Sequence, residues 1–225
     1  FDWNAIPLKD RIHNAYHVGI PAWPVFSDIT GLAIHGRSVL VVGFGPVGHG
    51  VATQARARGA LVSVVELDPV RALEAQQLGL QVVSLEEGLV ACSIVVTATG
   101  RERVIGPREL DRTRPGAILA NVGHGNREID VDWLDGRPRR AVRPYIDRFE
   151  LDDHHVFLLN RGNLVNLSGD AGIEIEELFD PFAAVMLRGL AWILEGGAVG
   201  AGHGMHPFPA ELEREIAEVL LSARR

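Results

Sequence analysis

The residues of this 225-residue chain that are equipped for chemistry start at one stretch, Ser38-Val39-Leu40-Val41-Val42-Gly43-Phe44-Gly45-Pro46-Val47-Gly48-His49-Gly50. An aliphatic run leads straight into Gly-x-Gly-x-x-Gly, and a helix-like segment, Val51 to Arg58, follows. Glycines at that spacing suit a diphosphate. Gly43 permits a tight turn, Gly45 lets the backbone approach the phosphates, and Gly48 allows close helix–strand packing. The N–H groups and positive dipole end of the following helix then hold the anion. Glu66 stands 18 residues beyond Gly48 and closes the second aliphatic run, Leu61-Val62-Ser63-Val64-Val65. A carboxylate at that distance hydrogen-bonds a ribose 2′-hydroxyl and repels a 2′-phosphate, which favours NAD over NADP.

A second group of polar residues falls where further strands end. Thr97, Thr99 and Gly100 close the run Ser93-Ile94-Val95-Val96, and Asn121 to Gly125 close Ala117-Ile118-Leu119-Ala120. In open α/β sheets ligands bind outside the carboxyl ends of the strands, so Thr97, Thr99, Gly100, Asn121 and His124 converge with the glycine loop on one crevice. His124, at a strand end between two glycines, reads as functional rather than as a packed histidine. Cys92 has no partner arranged around it and reads as a buried small hydrophobe. The adjacent His154 and His155 lack the spacing of a metal pair on one helix face, so no metal is assigned.

The elements that position these residues alternate as a doubly wound, Rossmann-type parallel sheet requires. Strands are expected at 38–42, 61–66, 81–83, 93–100 and 117–121, with helices at 46–58, 69–78, 85–91 and 107–111 between them. Asp68-Pro69 opens the second helix with an N-cap and a proline at the first helical position. Ahead of the first strand, Pro21 and Pro24 punctuate a passage to a helix at 27–34. Residues 1–20 carry Asn4, Lys9, Arg11, His13, Asn14, Tyr16 and His17, a density that suits a solvated leader or a segment lining a site. Residues 137–140 and 152–155 read as solvated turns. A helix at 174–195 is apolar over more than one stripe, which calls for packing against a further domain or a second subunit. An amphipathic helix at 210–223 ends the chain. Three parts follow: 1–26 from a substrate-side or hinge region, 27–168 for the cofactor, and 169–225 as a helical extension.

Composition narrows the class. With 47% hydrophobic residues the chain can bury a substantial core, and a net charge of −7 argues against nucleic acid or an anionic membrane as partner. The single cysteine excludes an internal disulfide and fits a reducing compartment, the cytoplasm. No apolar run reaches the ~18 residues that span a bilayer, and no signal-peptide pattern is seen.

The run Gly43 to Gly50, with Glu66-Leu67-Asp68-Pro69, Thr97-Ala98-Thr99-Gly100, Asn121-Val122-Gly123-His124, Glu128-Ile129-Asp130 and Leu164-Val165-Asn166-Leu167, resembles the S-adenosylhomocysteine hydrolase family. The likeness extends from about Lys9 to the final helix. It implies a permanently held NAD that oxidises a ribose 3′-hydroxyl, acidifies the 4′ proton, allows the 5′ substituent to leave and is restored after water adds. It further implies a nucleoside substrate and a homo-oligomer. By the same resemblance, Gly45, Pro46, Val47, Gly48, His49 and Gly50 form the pyrophosphate loop and Glu66 the adenosine-ribose carboxylate. Val122, Gly123 and His124 lie on the nicotinamide side, Asn166 makes a further cofactor contact, and Lys9 and Asn14 stand beside the substrate ribose. A desolvated lysine there acts in proton transfer.

Four positions depart from the family pattern. His13 replaces an aspartate, Ile173 a histidine, Arg71 an asparagine beside the adenosine ribose, and His49 a lysine of the glycine loop. Arg71 has two readings, stacking on adenine or accommodating a 2′-phosphate. With the lost aspartate and the lost histidine both on the substrate side and the NAD side largely intact, the expectation is oxidation at a nucleoside sugar with an altered elimination or water step, a nucleoside dehydratase. The alternatives are an ordinary S-adenosylhomocysteine hydrolase, a non-catalytic NAD-binding module, and a simple dehydrogenase with exchanging NAD.

Overall fold

The aliphatic runs become strands covered on both faces. Val39 and Val41 of the first run enter one hydrophobic cluster, while Leu40 and Val42 enter another on the opposite face. A run without polar alternation is what a buried parallel strand requires. The computed structural model describes residues 1–168, 176–200 and 202–223. Among these, one sheet is built from β1 (Ser38–Val42), β2 (Leu61–Val65), β3 (Gln81–Val82), β4 (Ile94–Thr97), β5 (Ala117–Asn121), β6 (Arg139–Arg143), β7 (Ile146–Glu150) and β8 (His155–Leu159). The strand order is β3-β2-β1-β4-β5-β8-β7-β6. Pairing is parallel from β3 to β8, whereas β7 and β6 add at one edge by antiparallel pairing. The order reverses between β1 and β4, which places a crevice at their carboxyl ends.

Helices α1 (Gly19–Thr30), α2 (Pro46–Ala57) and α3 (Pro69–Gln77) cover one face, contributing Trp23, Phe26, Val51 and Ala75 to its core. On the other face α4 (Leu85–Ala91), α5 (Pro107–Leu110) and α6 (Val131–Asp135) contribute Leu89, Leu110 and Leu134. Cys92 is buried in that second cluster, and burial pushes its thiol pKa up. A third, smaller cluster joins Ile6 to α7 (Glu176–Leu194) and α8 (Ala210–Ala223) through Val185 and Ile216. Phe179, Leu187, Leu190, Ile193 and Leu194 of α7 are exposed.

The N-terminal region differs from expectation. The helix expected at 27–34 lies instead at Gly19–Thr30 and contains both prolines. Pro21 sits in the first turn, where an N–H has no intrahelical partner, and Trp23, Phe26 and Ile29 are buried along its core side. The indole N–H of Trp23 donates to the Val51 carbonyl at 2.9 Å. Packing here outweighs the helix-breaking tendency of Pro24. Leu8–His17 is not a solvated leader but a wide π-type helix, with Val18 N–H donating to the His13 carbonyl five residues back at 3.1 Å. The turns expected at 137–140 and 152–155 overlap the starts of β6 and β8. Every residue of β6 is exposed and it carries Arg139, Arg140 and Arg143, so it shows none of the alternation of a half-buried strand. Ile173 and Ile175 lie outside the described residues.

The π-type helix crosses α2 backbone to backbone. A Cβ built on Gly50 would overlap the Ala15 carbonyl. Gly50→Ala is therefore expected to push the N-terminal helix off α2 and to cost about 1–3 kcal/mol of stability. A chemical-denaturation midpoint equal to the wild type would contradict this crossing.

Candidate functional site

The glycine loop leaves β1 at Gly43, whose φ of 95° is left-handed and whose N–H donates to the Val65 carbonyl at 2.8 Å. Helix α2 starts at Pro46 with Gly45 as its N-cap and no side-chain cap, so its first-turn N–H groups are left for an external anion. A Cβ on Gly48 would overlap the Gly43 carbonyl, so the tight strand-to-helix turn tolerates only glycine there. Glu66, at the end of β2, is held by three backbone N–H groups. Its Oε2 accepts from Phe44 at 2.7 Å, and its Oε1 from Leu67 at 2.7 Å and Asp68 at 2.8 Å. That binding fixes an acceptor beside the loop, where a ribose hydroxyl would be met.

The two strand-end loops on the other side of the crevice are tied by a buried carboxylate, Glu128, which is 1% exposed. Its Oε2 accepts from the N–H (2.9 Å) and hydroxyl (2.8 Å) of Thr99, after β4. Its Oε1 accepts from the N–H of Gly100 at 2.8 Å and of His124, after β5, at 3.0 Å. Beneath it the buried Asn121 uses both ends of its amide. Its Nδ2 donates to the carbonyls of Gly125 (2.5 Å) and Gly162 (2.8 Å), and its Oδ1 accepts from Gly123 N–H (2.9 Å) and the Thr97 hydroxyl (3.3 Å).

A cavity of about 450 Å³ opens between these loops and the glycine loop, lined by Gly45, Pro46, Val47, Arg71, Ala98, Thr99, Gly100, Gly123 and His124. A second of about 360 Å³ lies between the glycine loop and the π-type helix, lined by residues that include Arg11, Tyr16, Phe44, His49 and Arg71. The structure thus brings most of the expected cofactor residues together. Thr97 and Val122 instead lie buried beneath the loops, and Gly48 and Gly50 are packed against the backbone of Gly43 and Ala15 and line neither cavity. Asn166 is also buried, and its Oδ1 has no partner among the described residues.

Lys9, His13 and Asn14 line neither cavity. They turn toward α7, because the wide helix sets residues four and five apart on one side. Lys9 Nζ donates to Asn14 Oδ1 at 2.7 Å and lies 4.6 Å from the centre of the Phe182 ring. The His13 ring packs 5.5 Å from Phe179 and 5.7 Å from Phe182, beside His17. Burial holds the Lys9 amine below the usual lysine value, with Asp10 opposing the shift.

Glu128 is the residue that reading site chemistry from the sequence missed. It stands in the Glu-Ile-Asp run, but nothing in that run announces that the carboxylate is buried. Glu128→Gln tests its role. Each carboxylate oxygen accepts from at least one backbone N–H, so either amide orientation sets an NH₂ against a donor. The expected loss is about 1–3 kcal/mol of stability together with weaker NAD binding. Wild-type denaturation and NAD titration curves in the variant would refute the clamp.

Residues 26–172 match the family described as S-adenosyl-L-homocysteine hydrolase, NAD binding domain. The chain is similar to an S-inosyl-L-homocysteine hydrolase from Methanosarcina mazei, at 35% identity over 98% of this chain and 53% of the relative. It is also similar to an adenosylhomocysteinase from Pyrobaculum aerophilum, at 36% identity over 95% of this chain and 49% of the relative. It therefore spans about half the length of these relatives. Among solved structures, the A chain of dipicolinate synthase from Bacillus subtilis superimposes with a TM-score of 0.56 at 19% identity, covering 84% of this chain and 58% of that one. A transhydrogenase from Sinorhizobium meliloti gives 0.57 at 18%, covering 87% and 57%. These two share the fold alone. The glycine cradle, the anchored Glu66 and the family match agree, and the chain belongs to the S-adenosyl-L-homocysteine hydrolase family, of which it carries the NAD-binding domain.

Proposed function

We propose that the chain is the cofactor-side part of an NAD-dependent enzyme that transiently oxidises the 3′-hydroxyl of an adenosine-type nucleoside and expels its 5′ substituent. The relatives named for adenosyl and inosyl substrates support a purine nucleoside attached to homocysteine. The division into 1–26, 27–168 and 169–225 belongs to the same proposal, with the outer segments serving the substrate. In the cradle, Gly43, Gly45, Pro46, Val47 and His49 surround the diphosphate and Glu66 binds a ribose hydroxyl, while Gly48 and Gly50 serve close packing against Gly43 and Ala15. Thr99, Gly100, Gly123 and His124 wall the crevice. The unpartnered Asn166 Oδ1 suits a donor such as the nicotinamide carboxamide. Bound NAD⁺ supplies the hydride acceptor.

The observation that carries the reading is the Lys9–Asn14 pair. Burial favours the neutral amine, which accepts the hydroxyl proton at Nζ; Asn14 Oδ1 orients Nζ, and the Phe182 ring shields it from water. His13, packed on two phenylalanine rings where the family resemblance expects an acid, supports a reaction that stops before hydration. The runner-up is the ordinary hydrolase, favoured by the names of the relatives.

Addition of S-adenosylhomocysteine, S-inosylhomocysteine or adenosine to the purified protein is expected to raise the absorbance at about 340 nm without added NAD. No rise with any of them, in protein shown to hold NAD, would remove the oxidation step. Lys9→Met should slow that rise roughly 10²–10⁴-fold while NAD stays bound. Because only the neutral amine accepts a proton, the wild-type rate should increase with pH, along a limb centred below the ordinary lysine value of 10.5. An unshifted limb, or a fast Lys9→Met, would exclude Lys9 as the base. Product analysis separates the two outcomes: a 4′,5′-unsaturated nucleoside marks the dehydratase, and hydrated nucleoside alone marks the hydrolase.

A further inference from the structure

We propose that Arg71 binds the diphosphate of the dinucleotide across the glycine loop, rather than stacking on adenine or receiving a 2′-phosphate. The inference rests on the NAD site described above and deepens it by assigning a residue that departs from the family pattern. Its position is set locally. Asp68 Oδ1 caps α3 by accepting from the N–H groups of Val70 at 2.8 Å and Arg71 at 3.3 Å, and Pro69 holds the first turn in helical geometry. Side chains of a helix lean toward its N-terminus, which here directs Arg71 back toward the glycine loop. Its Nη1 lies 3.4 Å from where a Cβ on Gly45 would stand. Arg71 is also the wall common to the two cavities that flank that loop, and it lines them together with Gly45 and Pro46.

Gly45 is the point at which the backbone comes closest to a diphosphate. The uncapped start of α2 offers N–H groups to that anion from one side, and the guanidinium fork faces it from another. Asp10 and Glu74 line the second cavity together with Arg71, but among the described residues neither they nor any other carboxylate is ion-paired with it. A 2′-phosphate would instead meet the Glu66 carboxylate, which three backbone N–H groups hold in place.

The test is a titration of NAD, NADP and adenosine against cofactor-free wild type, Arg71→Ala and Arg71→Lys, at low and high salt. Arg71→Ala is expected to weaken NAD and NADP by the same factor, roughly tenfold or more, and to flatten the salt dependence. Adenosine binding should not change, and Arg71→Lys should recover part of the loss. Unchanged NAD affinity in Arg71→Ala overturns the proposal. So does a loss confined to NADP, which marks a 2′-phosphate contact, or an equal loss for adenosine, which marks stacking. A wild type that takes up no NAD refutes the cofactor site itself, a result distinct from any of these.

Discussion

The architecture of the site depends on one buried carboxylate. Among the described residues Glu128 accepts only from uncharged donors: two backbone N–H groups and a hydroxyl from the loop after β4, and an N–H from the loop after β5. Burying a carboxylate without partners costs several kcal/mol, so the native state must supply donors to it. It does so by holding two separate strand ends at fixed distances from one side chain. The spacing between Thr99 and His124, and with it the width of the crevice, follows from that requirement. Asn121 repeats the principle one layer deeper, since satisfying both ends of a buried amide ties β4, β5 and the turn at Gly162 together.

The opposite wall is set by close approach instead of by polar bonds. Gly48 brings α2 against β1, and Gly50 brings the N-terminal helix against α2. Stacked contacts of this kind leave no slack, so the glycine loop has rigid neighbours above and below. Electrostatics complete the arrangement. Glu66 is held by three N–H groups on the ribose side, while Arg71 and the start of α2 face Gly45. Negative and positive character are thereby separated along the length of a dinucleotide.

The N-terminal helix extends this framework toward α7. Its wide turn places Lys9 directly beside Asn14, a pairing that the regular helical spacing of three or four residues does not provide. The same turn directs that pair to the phenylalanines of α7 while Ala15 meets Gly50. One short element thus touches both the cofactor helix and the C-terminal helices.

Much of the fold was legible because short-range rules specify it. Aliphatic runs buried on both faces, the Gly-x-Gly-x-x-Gly turn and the Asp68-Pro69 helix start each declare themselves within a few residues, and the structure has them within one or two positions over most of 38–121. Glu66 and the strand-end loops followed from spacing and sheet topology. The N-terminal helices did not, since Pro21 and Pro24 argue locally against the helix that buried Trp23 and Phe26 stabilise. Nor did β6, an edge strand rich in exposed arginines that pairs with β7. The sequence by itself determined a Rossmann-type sheet with an NAD cradle. Tertiary structure alone decided which polar residues face the crevice and which, like Glu128 and Thr97, are spent holding it open. Burial and hydrogen-bond satisfaction are properties of chain segments brought together, not of the residues read one after another.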